Sequence, residues 1–161
     1  MKTFDSLTEQ EVLALAIALE EEDARIYEDF ADGLQENNPE QAAKFRIMRG
    51  EEDSHRHRLL EHYKSRFGDH VPLIRRQDVR GFVDRKPVWL IRPLGLKTVQ
   101  KTAESMEVET RRFYEAAAHR ATDTGTITTY VMSHFRIAAE LFIGRSNINV
   151  ENRHATPFTL P

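Results

Sequence analysis

Apolar positions recur at alternating steps of three and four along most of this chain, a spacing that places them on one face of a helix and predicts an all-α protein. Three long helices follow from this pattern. The first ends near Gly33, the second runs from Pro39 to about Arg66, and the third runs from Leu96 to about Ala121. Helices of this length suit a bundle.

Turn and cap residues support these boundaries. Ser6 or Thr8 can cap the start of the first helix, and Gly68 suits the end of the second. The apolar pattern at residues 131–142 is compatible with a fourth helix. The stretch before it, residues 126–131, is rich in β-branched residues and weak in helix propensity.

A long connection at residues 68–95 separates the second and third helices. Prolines and glycines interrupt its apolar fragments, and we expect one short helix in it, around residues 76–83. Such a connection lets two helices run parallel. We therefore predict an all-α four-helix bundle with one long crossover, in a domain of residues 1–145 followed by an irregular tail at 146–161.

This crossover is also rich in basic side chains. They could favour an acidic lipid surface, or they could pair with the acidic helices and face water. We favour the second interpretation because most charged side chains lie at protein surfaces. The residues are Arg75, Arg76, Arg80, Arg85, Lys86 and Arg92.

Composition narrows the functional class. A length of 161 residues with 40% hydrophobic and 30% charged content suits one soluble domain. The net charge of −3, without a basic and aromatic cluster, does not favour nucleic acid. Cysteine is absent, which excludes disulfides and thiolate sites and leaves histidine and carboxylates as metal ligands. With neither a signal segment nor a run of about 20 apolar residues, we expect this chain to be soluble, and the lack of cysteine fits a reducing compartment.

Glu52 and His55 are the first candidate metal ligands. They lie three residues apart, so both side chains can reach one ion from a single helical face. That face is otherwise apolar, with Phe45, Met48 and Leu59 at the same spacing. Ionisable groups are rarely buried unless they are paired or bound to a metal.

Glu20 interrupts the apolar stripe of the first helix in the same way, and we expect it to point inward. Its neighbours Glu21, Glu22 and Asp23 are interpreted as a solvated acidic face.

A repeat extends this set. Glu20 precedes Tyr27 by seven residues, and Glu107 precedes Tyr114 by seven, which indicates a duplicated helical hairpin. The interval from Glu20 to Glu52, applied to Glu107, leads to residue 139 or 140, and residue 140 is glutamate. The repeat fails at the next step, because the duplication would place a histidine at 143 and that residue is isoleucine.

Four inward carboxylates and a histidine make an oxygen and nitrogen site suited to iron or manganese, with zinc as a competitor. Glu20 and His55 would bind one ion and Glu107 the other, while Glu52 and Glu140 could bridge both. Two ferrous ions can supply two electrons together.

Three further residues have two open interpretations each. Tyr27 and Tyr114 could hydrogen-bond to the liganding carboxylates, or they could be core tyrosines with other partners. Glu104 lies one turn before Glu107 and could be an extra ligand, although we favour an exposed position.

Several stretches resemble one known family. The order Glu, Glu-x-x-His, Glu, Glu resembles the ferritin-like superfamily, especially its erythrin and rubrerythrin branch. The stretches resemble more closely the N-terminal domain of membrane-bound ferritins. The resemblance covers about residues 1–124. The stretches are residues 19–31, 51–60, 66–82 and 86–95.

This resemblance implies that the chain binds ferrous iron and oxidises it with dioxygen or peroxide. In the full-length family this activity is coupled to iron export or storage at the cytoplasmic face of a membrane. Contact with the membrane is expected only through a transporter region that the printed sequence does not include. We also expect a homodimer. The alternative is a structural or interaction bundle with a degraded or non-catalytic metal site, which Ile143 favours.

Overall fold

The computed structural model describes residues 1–82, 85–91 and 95–120, which are mainly helical. The three long helices predicted from the apolar spacing are confirmed. The predicted fourth helix at 131–142 and the tail at 146–161 lie outside the described residues. The observed helices are α1 (Glu9–Leu34), α2 (Pro39–Phe67), the single turn α3 (Val88–Ile91) and α4 (Leu96–Arg120).

Helix α1 starts with a reciprocal cap. The backbone N–H of Glu11 donates to the Thr8 hydroxyl at 3.2 Å, and the backbone N–H of Thr8 donates to the Glu11 carboxylate at 3.0 Å. Of the two caps considered, Thr8 is therefore the correct one, and Ser6 ends a separate 3₁₀ turn, Phe4–Ser6. All residues from 12 to 19 except Ala18 are buried, which makes α1 a central helix.

Helix α2 packs along α1 as a hairpin connected by residues 35–38. Pro39 occupies its first turn, and Gly68, with φ of 82°, ends it by donating its N–H to the Lys64 carbonyl at 3.0 Å. The apolar stripe read from the sequence is buried at Phe45, Met48, Glu52, His55 and Leu59. The buried face of α2 also includes Ala42 and Tyr63.

The crossover differs from the prediction. The helix expected around residues 76–83 is wrong, because only Arg76–Asp78 form a 3₁₀ turn, and β2 (Val79–Arg80) follows directly. The Asp78 carboxylate accepts the backbone N–H of Arg75 at 2.9 Å and closes this tight turn. Strand β2 pairs in parallel with β1 (Lys2–Thr3), so the chain's first residues hold the middle of the crossover.

Two compact units divide the chain, residues 1–109 and residues 110–161. The described part of the second unit is the end of α4, where the rings of Phe113 and Tyr114 meet edge to face at 5.2 Å. Among the described residues, none of the helices combines the length and the apolar character that a membrane crossing requires.

Candidate metal centre

Glu20, Glu52 and His55 converge in the interior of the first unit. Their exposed fractions are 1%, 4% and 5%. The His55 Nδ1 atom lies 3.3 Å from Glu20 Oε2 and 3.3 Å from Glu52 Oε2. One ligand atom from each residue lies within 4.8 Å of the others, which brings all three within reach of one cation.

The local sequence explains why these three polar groups are buried. Glu20 lies in the almost wholly buried helix α1, while Glu52 and His55 lie one turn apart on the apolar face of α2. Packing of α1 against α2 therefore brings them together. The sequence predicted that all three would point inward, and all three are buried.

Electrostatics favour a cation here. Burial raises the pKa of Glu52 well above its usual value, and the negative charges of Glu20 and Glu107 raise it further. Without a metal, the carboxyl group of Glu52 therefore favours a proton. A divalent ion supplies the positive charge that such a cluster needs and displaces the proton.

Glu107, on α4, is a fourth participant. It is partly buried, and its Oε1 atom accepts a hydrogen bond from the Tyr27 hydroxyl at 2.6 Å. Burial raises the pKa of Glu107 to about 7, the Tyr27 hydrogen bond opposes that rise, and the charges of Asp23 and Glu20 add to it. The negative charge of Glu20 on α1 thus contributes to the raised pKa of Glu107 on α4.

Tyr27 is held as a hydrogen-bond donor. Burial raises the pKa of its phenol well above 10, and the Glu107 carboxylate raises it further, so the phenol keeps its proton. The ring is fully buried and stacks on Phe45, with ring centroids 6.0 Å apart. Phe45 also meets Phe30 edge to face at 5.5 Å. These three rings form a buried aromatic cluster beside the Tyr27–Glu107 hydrogen bond.

A group of ion pairs lies beside this cluster, and sequence reasoning missed part of it. Arg85 pairs with Asp23 on α1 and with Glu109 on α4, where its Nη2 and Nε atoms lie 2.9 and 3.1 Å from Oε2. Arg76 pairs with Glu22 at 3.1 Å and with Glu109 at 3.5 Å. We name these five residues the arginine bridge. The favoured interpretation, that crossover arginines pair with the acidic helices, is confirmed for these two.

Asp23 corrects the interpretation of residues 21–23 as a solvated face. Its exposed fraction is 3%, because it lies one turn after Glu20 on the inward face of α1. The three-residue spacing between Glu20 and Asp23 was the sequence signal that could have predicted the burial of Asp23. Burial raises the pKa of Asp23 to about 6, while the charge of Arg85 opposes the rise.

The remaining predicted site residues are less informative. Glu104 is exposed, as favoured. Tyr114 is buried and belongs to the second unit. Glu140 and Ile143 lie outside the described residues.

The donor set tests the fit of a metal. The three converging residues offer carboxylate oxygens and one imidazole nitrogen, a combination that suits iron or manganese and also accepts zinc. The residues present therefore fit the ion that the sequence predicted.

Comparison with protein-family models supports this assignment. The model described as Rubrerythrin matches residues 11–129, a range that includes Glu20, Glu52, His55 and Glu107. Neither the curated proteins nor the solved structures gave a significant match.

Proposed function

The chain belongs to the rubrerythrin family of the ferritin-like superfamily, and on this premise we propose that it binds two ferrous ions at a carboxylate site and oxidises them. The observation that carries the proposal is the buried convergence of Glu20, Glu52 and His55. Buried carboxylates that face a histidine and other carboxylates are stabilised by a bound metal.

We assign the ligands by their positions. Glu20 and His55 would hold one ion, and Glu107 would hold the other. Glu52 would serve both ions, a role supported by the influence of both Glu20 and Glu107 on its pKa. Glu140, which lies outside the described residues, would be a further shared ligand in this proposal.

The protein residues orient the site and control its protons. Tyr27 donates to Oε1 of Glu107, and this hydrogen bond orients the carboxylate. Metal binding releases the protons that burial favours on Glu52 and Glu107. Two ferrous ions held together supply two electrons to dioxygen or peroxide.

An anaerobic ferrous titration tests the metal site. We expect a stoichiometry of about two ions per chain, lost in Glu52→Ala and reduced in Glu107→Ala. Glu104→Ala is the matched control, because Glu104 is exposed on the same helix as Glu107. Ferrous binding no stronger than background would overturn the proposal.

Oxidation is tested separately. Adding ferrous ion in air should give rapid oxygen uptake and near-ultraviolet absorbance. A chain that binds metal without these signals would instead be a structural or interaction domain with a non-catalytic site. Ile143, at the place where the repeat would supply a histidine, favours this second candidate.

We further propose, from the sequence resemblance alone, that a homodimer of this chain acts in the cytoplasm and hands iron to an export or storage system at a membrane. Light scattering tests the dimer. A monomer at micromolar concentration would contradict it.

A further inference from the structure

The arginine bridge joins α1 to α4 at the level of the candidate metal centre. Arg85 uses Nη1 for Asp23 on α1 and uses Nε and Nη2 for Glu109 on α4. Asp23 lies one turn after Glu20, and Glu109 lies two residues after Glu107. The guanidinium therefore connects the two helices next to the two carboxylates that they contribute.

Burial distinguishes this connection from a surface ion pair. The side chains of Arg85, Asp23 and Glu109 are 11%, 4% and 15% exposed. The fork of an arginine can hold two carboxylates in fixed directions, which a lysine ammonium cannot. Arg85 thus fixes both the spacing and the orientation of its partners.

The helices need such a connection because like charges oppose their approach. Glu20 and Asp23 on α1 are buried carboxylates, and α4 contributes a further carboxylate, Glu107, to the same region. The hydrogen bond from Tyr27 to Glu107 and the ion pairs of Arg76 with Glu22 and Glu109 also link these helices. In the absence of metal, Arg85 supplies positive charge between α1 and α4.

We propose that Arg85 is a positioning residue for the second metal ion, because it sets the distance between Glu20 and Glu107. The inference rests on the proposed dinuclear function. Glu20, Glu52 and His55 come from α1 and α2, which Arg85 does not join. Loss of Arg85 should therefore spare the ion at Glu20 and His55 and weaken the ion at Glu107.

A simple charge effect predicts the opposite sign. Removing a cation near the site would strengthen the binding of both ions, if charge alone mattered. General loss of stability would weaken both ions together. Only a positioning role weakens one ion and spares the other.

Titration with cobalt(II) tests this inference, because cobalt binds the same oxygen and nitrogen ligands and its visible spectrum reports coordination. We expect two ions per chain in the wild type. In Arg85→Gln the first ion should bind with nearly wild-type affinity, and the second about ten-fold or more weakly. Arg85→Lys should recover only part of this loss, since it restores the charge without the fork.

Variants of two other arginines provide an intermediate case and a control for the loss of second-ion affinity. Arg76→Gln should weaken the second ion less than Arg85→Gln, because Arg76 lies 3.5 Å from Glu109 and its partner Glu22 is 38% exposed. Arg25→Gln is the control, since Arg25 pairs with Glu21 within α1. Circular dichroism and thermal unfolding would establish that each variant is folded, and Arg85→Lys carries the test if Arg85→Gln is not.

The outcomes are distinguishable. A wild type that binds fewer than two cobalt ions contradicts the dinuclear function itself. A wild type that binds two, with Arg85→Gln weakening neither ion or both equally, overturns the positioning role and leaves the function intact. Full recovery by lysine would overturn the claim that Arg85 fixes the orientation of its partners, because the fork of the guanidinium would then not be needed.

Discussion

Two neighbouring groups of buried charges differ in how their repulsion is offset. In the candidate metal centre, the carboxylates of Glu20 and Glu52 face the imidazole of His55 at 3.3 Å. In the arginine bridge, Asp23 and Glu109 face the guanidinium of Arg85. Burial favours protons on the carboxyl groups of the first arrangement until a cation displaces them, whereas the second carries its own cation. A binding site and a structural contact can thus be built from similar carboxylates on the same helices.

The pH dependence of the metal-free protein should show the largest effect. The pKa of Asp23 is raised to about 6 and that of Glu107 to about 7, so the folded state binds more protons than the unfolded state. Their contribution to stability is full below the unfolded values near 4 and is lost as pH rises through 6 and 7. Denaturant unfolding should show a fall of a few kcal/mol, on the order of one or two per group, between pH 4 and pH 8.

Saturating manganese should reverse this trend for the metal centre. Metal binding requires deprotonated ligands, so the metal-bound protein should gain stability as pH rises over the same interval. The same slope with and without manganese would contradict the distinction between the two groups.

Removing the guanidinium of Arg85 should have the second-largest effect on the free energy of unfolding. Arg85→Gln leaves Asp23 buried without its guanidinium partner and should lower the free energy of unfolding by about 3 kcal/mol at pH 8. The loss should shrink at pH 5, where Asp23 is protonated in the folded protein. Chemical denaturation at both pH values measures the difference, and Arg25→Gln, at an exposed pair, should change little.

Removing a charge from the metal centre should have the opposite sign. Glu52→Gln keeps the shape of the side chain and holds the position neutral at every pH, which removes the cost of ionising a buried carboxyl group. The metal-free protein should therefore gain up to about 1 kcal/mol at pH 8. Metal binding should be lost at the same time. A metal-free Glu52→Gln protein less stable than the wild type would show that this centre is structural in the same sense as the bridge.

Tyr27→Phe should have the smallest effect. It removes the hydrogen bond to Glu107 and keeps the ring stacked on Phe45, so stability should fall by about 1 kcal/mol. Tyr63→Phe is a matched control, since the hydroxyl of Tyr63 donates to the His70 carbonyl at 2.8 Å. Only the Tyr27 variant should alter the pH at which metal uptake is half complete. Equal shifts in both variants would argue against a role for Tyr27 at the site.

The metal centre and the arginine bridge also differ in how well the sequence predicts them. Periodicity along a helix gave the three long helices and the inward direction of Glu20, Glu52 and His55, because each of these depends on neighbours three or four residues away. Proline and glycine marked the crossover but not its internal turns. The helix expected at 76–83 is replaced by a 3₁₀ turn and a strand, because pairing with Lys2–Thr3 is a long-range contact.

For a related reason, the sequence predicted that crossover arginines pair with the acidic helices but not which residues form the arginine bridge. Its residues lie far apart in the sequence, and no local pattern selects Arg85 rather than another crossover arginine as the partner of Asp23. Asp23 itself followed two other acidic residues, so its spacing from Glu20 was overlooked. Glu140 and its helix stay predictions, since they lie outside the described residues.

The short connection between α1 and α2 has a consequence for the order of folding. Contacts across this hairpin are close in sequence, whereas β1 meets β2 and α1 meets α4 only after long stretches of chain have been ordered. We expect Glu20, Glu52 and His55 to assemble first, and Glu107 to arrive with the later-forming half. Pulsed hydrogen exchange during refolding should therefore protect the amides of α1 and α2 before those of α4. A nascent chain would then be able to capture its first metal ion before the second ion's ligands have docked.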